Sequence, residues 1–77
     1  MNWQQTVTDA DEIKVFTALD KPEYTWRTMR GIARQTGLSE DRVAQILDKY
    51  NLQLTRLSGT PSVSGSALVG LIEKVGA

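Results

Sequence analysis

Apolar residues recur along this chain with two different periods, and the changes from one to the other divide it into elements. Between Asp9 and Asp20, Ile13, Phe16 and Leu19, helped by Val15, share one side of a helical repeat and predict an amphipathic helix. Asp9, with Glu12 three residues on, resembles a capping box, and acids crowd the first turn where the helix dipole favours them. Lys21-Pro22 stops the helix, because proline disfavours helical geometry in the residue before it. Tyr24-Thr25-Trp26-Arg27 alternates just long enough for a short strand, with Tyr24 and Trp26 on one side. Thr28 is a good N-cap for a second helix that would bury Met29, Ile32, Ala33 and Thr36. Gly37 ends that helix, Leu38 plugs the turn, and Ser39 caps a third helix with Val43, Ile46, Leu47 and Tyr50 on its inner face.

After Asn51 the period shortens. Residues 52–57, Leu-Gln-Leu-Thr-Arg-Leu, alternate strictly and predict a half-buried strand. Residues 58–66 are rich in Gly, Ser and Thr around Pro61, a loop with too little apolar content to pack. Residues 67–75 fit two readings. As a strand they return antiparallel to 52–57; as a helix they place Leu68, Leu71, Ile72 and Val75 on one face, with Ser66 as cap and Gly76 as stop. The strand is favoured, since 52–57 would otherwise have only the short 24–27 segment to pair with. Residues 1–8 lack periodicity and read as a flexible N-terminus unless Trp3 or Val7 docks, leaving residues 9–77 as one domain.

The fold class that follows is mainly α with a small β-sheet (α+β). Its centre is residues 28–50, where Ala33, Gly37 and Val43 form the skeleton of a helix-turn-helix. Ala33 is small enough for close helix approach, Gly37 can take positive φ, and Val43 with Ile46 packs stiff side chains back on the second helix. The order helix, strand, helix, helix, strand, wing, strand resembles a winged helix-turn-helix domain. Residues 24–71 look like the winged-helix modules of small bacterial regulators of the MarR and ArsR type. The resemblance is carried by Trp-Arg-Thr-x-x-Gly-Ile-Ala-x-x-Thr-Gly-Leu-Ser at 26–39 and by Gly65-x-x-Leu68-x-x-Leu71. It implies a DNA-binding protein, a small transcriptional regulator whose third helix, residues 39–50, enters the major groove of double-stranded DNA. Winged helices also dock proteins, so a protein-interaction module without direct DNA binding is the alternative.

Composition narrows the chemistry. Seventy-seven residues allow one small domain, and the absence of cysteine and histidine removes disulfides, thiolate metal sites and the commonest general base. Asp9, Asp11 and Glu12 could hint at a metal, but acids in a first helical turn need no such explanation. No catalytic constellation, cofactor motif, signal peptide or membrane span is visible, so the expectation is a cytoplasmic, non-enzymatic protein with no cofactor and no metal.

Charge then locates the candidate site. The formal net charge is zero, but residues 1–24 come to −3 and residues 25–39 to +3, through Arg27, Arg30 and Arg34. These three arginines and Thr28 are the expected phosphate contacts, against the option that they pair with Asp9, Asp20 or Glu23 of the acidic first segment. Arg56 at the base of the loop is the single basic candidate there, since the loop itself offers only hydroxyls and amides. With residues placed about 100° apart, the outer face of the third helix centres on Asp41, Gln45 and Asp48. Ser39, Arg42 and Gln45 are the expected base contacts, Gln45 being able to pair with adenine and Arg42 with guanine. Asp41 and Asp48 oppose a phosphate backbone. A domain with so little positive charge is expected to act as a homodimer on paired half-sites.

Overall fold

The computed structural model describes residues 3–23, 25–58 and 67–76. Helix α1 (Ala10–Leu19), strand β1 (Arg27–Thr28), helices α2 (Met29–Thr36) and α3 (Glu40–Lys49), strands β2 (Thr55–Leu57) and β3 (Leu68–Leu71) and a last helical turn α4 (Ile72–Val75) follow in that order. The class is α+β, with the three strands in one antiparallel sheet ordered β1-β3-β2. Central β3 sets Val69 opposite Arg27 on one side and Gly70 opposite Arg56 on the other.

Local signals place the helix boundaries. The Asp9 carboxylate accepts from the amides of Asp11 and Glu12 at 3.1 and 3.2 Å, Thr28 Oγ1 from Gly31 at 3.0 Å, and Ser39 Oγ from Arg42 at 3.1 Å. Each cap satisfies an amide that the first helical turn cannot. Gly37 sits at φ +78 and closes α2 by donating to the Ala33 carbonyl, the left-handed geometry expected of a glycine stop. The turn therefore holds α2 against α3, and Ile32, Val43, Ile46 and Leu47 are buried between them and α1.

The N-terminal segment belongs to the core. Trp3 opens a turn of 3-10 helix, packs on Phe16 with ring centroids 5.5 Å apart, and donates its indole N–H to Asp20 at 3.0 Å. Val7 is buried as well, so the docking that would order residues 3–8 takes place. Lys74, from the other end of the chain, donates to the carbonyls of Leu19 and Lys21 and lies 3.7 Å from Asp20. The end of α1 is thus tied to both ends of the chain, a role no local pattern announced.

One buried face and three boundaries differ from the sequence reading. Ile13 is exposed, because the buried face of α1 runs through Glu12, Val15, Phe16 and Leu19. The first strand shifts from 24–27 to Arg27–Thr28, with Tyr24 outside the described residues. The second keeps only Thr55–Leu57. Leu54 and Thr55 are both buried, which breaks alternation, and the Tyr50 carbonyl gathers the amides of Gln53, Leu54 and Thr55 into a turn. Leu52 takes φ 66 in that turn and is exposed. Residues 67–75 divide between both readings, strand to Leu71 and helix from Ile72. The loop reading falls almost wholly on residues 59–66, outside the described residues.

Candidate nucleic-acid interface

Five of the eight candidate residues are engaged within the fold. Thr28 and Ser39 spend their hydroxyls as helix caps, which fixes the starts of α2 and α3. Arg27 turns back along α2 toward α1, donating to the Ala18 carbonyl at 3.3 Å and to Gln35 Oε1. Arg56 lies 5.9 Å from the Trp26 ring centroid and donates to the Gly76 carbonyl at 3.4 Å. Arg42 is drawn to α1, with Asp11 at 3.4 Å and Asp9 at 3.6 Å. An arginine does pair with the acidic first segment, but it is Arg42 of α3, expected on a base, and not Arg30 or Arg34.

Arg30 and Arg34 behave differently. Both are exposed, stand one turn apart on α2, and have guanidinium groups with no hydrogen-bond or ion-pair partner among the described residues. Together with Ala33, Gly37, Leu38 and Glu40 they line a shallow concavity beside the start of α3. Glu40 brings one carboxylate to this surface. On α3 itself Gln45 is exposed between Asp41 and Asp48, and neither aspartate has an ion-pair partner among the described residues.

One buried carboxylate was not a candidate. Glu12, read from sequence as half of a capping box, is buried and turns its carboxylate toward α3. There it accepts from Tyr50 OH at 2.6 Å and from Lys49 Nζ at 2.8 Å. Burial pushes its pKa up, but the Lys49 and Tyr50 hydrogen bonds and the Lys49 charge outweigh burial and hold it below the ordinary value. Hydrogen bonding to Glu12, then burial, raises the Tyr50 phenol, and the same carboxylate raises Lys49. This cluster joins α1 to α3 and consumes the second cation of α3. The only prior signal was spacing: Glu12 falls one turn before Val15 and Phe16, on the face that had to be buried.

With Arg42 and Lys49 both paired to α1, the outer face of α3 is left with an acidic balance. Among the described residues no cluster of acids could hold a metal ion, and Asp9, Asp11 and Glu12 are engaged as caps and ion-pair partners. No helix among those residues is long and apolar enough to cross a membrane. The chain matches no family model, no curated protein and no solved structure. Its function must be read from its own surface.

Proposed function

We propose that the chain is a winged helix-turn-helix domain that binds double-stranded DNA as a small transcriptional regulator. Arg30 and Arg34 would rest on the phosphate backbone, with α3 turned toward the bases. The element order, the β1-β3-β2 sheet and the glycine turn between α2 and α3 support the fold reading. One observation carries the DNA reading: two unpartnered, exposed guanidiniums sit one turn apart beside the start of α3. Gln45 is then the side chain best placed for a base edge, while Thr28 and Ser39 serve by fixing the helices that carry the contacts. Arg27, Arg42 and Arg56 contribute field rather than direct contacts. Asp41 and Asp48 keep affinity low, and a homodimer on paired half-sites would compensate.

Two phosphate contacts predict a slope of log affinity against log salt of about −1.8, or about a twelvefold loss between about 50 and 200 mM salt. Fluorescence anisotropy with a labelled duplex measures it. Arg30→Ala with Arg34→Ala should flatten the slope. A slope unchanged by the double substitution, or no binding at the lower salt, refutes the assignment. The acidic outer face of α3 favours a second reading, a winged-helix module that docks a protein.

A further inference from the structure

A shallow groove of 350 Å³ runs between α1 and α2, with Ile13, Thr17 and Ala18 on one side and Gln35 and Thr36 on the other. The helical period groups Ile13 with Phe16 and Leu19, yet the fold leaves it 40 % exposed in this groove. A groove between two packed helices, with an aliphatic side chain left open in it, is the kind of surface onto which a third helix can lay an apolar face.

Charge decides the occupant. The charged residues that line the groove are Lys14 and Lys21, and no acid lines it. Neither ammonium has a hydrogen-bond or ion-pair partner among the described residues. Arg27 adds a third positive charge, since its guanidinium bridges the Ala18 carbonyl and Gln35 Oε1, both from lining residues. Four of the five acids in residues 1–24 are engaged elsewhere: Asp9 and Asp11 with Arg42, Glu12 with Lys49 and Tyr50, and Asp20 with Trp3 and Lys74. The fifth, Glu23, is exposed beyond Lys21 and does not line the groove, and α2 contains no acid. Lys21 is also held in place, because its backbone carbonyl accepts from Lys74 Nζ at 2.8 Å. Lys14 and Lys21 are seven residues apart, about two helical turns or about 10 Å. An open aliphatic side chain flanked by cations is complementary to an acidic amphipathic helix. A phosphate backbone would satisfy the lysines but leave Ile13 uncovered.

We infer that this groove docks an acidic amphipathic helix of a partner protein, with apolar side chains against Ile13 and carboxylates two turns apart on Lys14 and Lys21. The groove shares no lining residue with the concavity beside Arg30 and Arg34, so the inference holds whether or not DNA binds. The test is a methyl and amide NMR titration of the full chain with a model peptide of leucine pairs alternating with single glutamates. A peptide with lysine in place of each glutamate is the control. The leucine–glutamate peptide should give saturable shifts at Ile13, Thr17, Ala18 and Thr36, and the lysine peptide none there. Lys14→Gln with Lys21→Gln should weaken binding about threefold to tenfold at low salt, the range for two exposed ion pairs. Lys14→Glu with Lys21→Glu should transfer the groove shifts to the lysine peptide while the rest of the spectrum stays that of the folded domain. Equal shifts with both peptides, shifts confined to the surface of Arg30 and Arg34, no shifts, or a preference unmoved by the charge reversal overturn the inference. So does a random DNA duplex, or a vesicle of anionic phospholipid, that gives the same groove shifts as the glutamate peptide.

Discussion

Replacing Glu12 by glutamine removes a charge and almost no volume from the carboxylate that joins α1 to α3, so its cost isolates the electrostatic part of that junction. The Tyr50 hydroxyl donates to Glu12 at 2.6 Å in a buried setting, where a hydrogen bond to a charged group contributes about 1.5–3 kcal/mol. Glutamine can still accept from Tyr50, but as a neutral bond of about 0.5–1.5 kcal/mol. Lys49 is closer to a surface partner, with 61 % of its side chain exposed, so solvent screening leaves its share small beside that of Tyr50. The variant should therefore lose about 1–1.5 kcal/mol, the difference between the charged and the neutral bond. For a domain of this size that is about 4–12 °C in Tm.

The pH dependence has a definite sign. Because the folded Glu12 is held below its ordinary value, its contribution is complete above that ordinary, unfolded-state value and is lost as pH falls through the folded one. Tyr50 and Lys49 are raised, so theirs is complete below their ordinary values and lost as alkali carries pH through the folded ones. Thermal melts followed by circular dichroism from about pH 3 to about pH 11 would report both limbs. Glu12→Gln should lower the plateau and flatten both limbs. A plateau unchanged at neutral pH, or an acid limb as steep as before, would refute the reasoning.

Other substitutions probe the frame. A Cβ at Gly70 would lie 2.8 Å from both the Thr25 carbonyl and Val75 Cγ1, so Gly70→Ala should cost about 1–3 kcal/mol in urea denaturation. Gly37→Ala meets nothing within 4 Å, and its cost of about 1–2 kcal/mol should come from φ +78 alone. Trp3→Ala removes a buried ring and its bond to Asp20; a loss of about 3–5 kcal/mol would approach the whole stability of so small a domain. A Trp3→Ala protein with an unaltered urea midpoint would mean that residues 3–8 are dispensable to the core.

What could be read from the sequence was local. Helix caps at Asp9, Thr28 and Ser39 and the glycine stop at Gly37 follow from single residues whose geometry is nearly obligatory, and each stands where it was expected. Periodicity erred where two adjacent residues are buried by different neighbours, as at Leu54 and Thr55, or where the apolar stripe includes an acid, as at Glu12. Contacts between distant segments carried no signal at all. The reach of Arg42 to Asp9 and Asp11, and of Lys74 to the end of α1, depends on how helices pack rather than on spacing. This is why the candidate site changed more than the fold. Three of the five candidate arginines, Arg27, Arg42 and Arg56, are held by partners within the fold, and Arg30 and Arg34 remain.

The central claim is that those two arginines, with the exposed side of α3, meet a DNA backbone. Amide NMR of the labelled chain titrated with a random-sequence duplex at low salt tests it most directly. The account predicts shifts clustered at residues 30–34 and 39–48, lost together in the Arg30→Ala, Arg34→Ala double variant while the remaining spectrum stays that of the folded domain. Shifts that persist in the double variant, or a duplex that leaves these residues untouched, would contradict it.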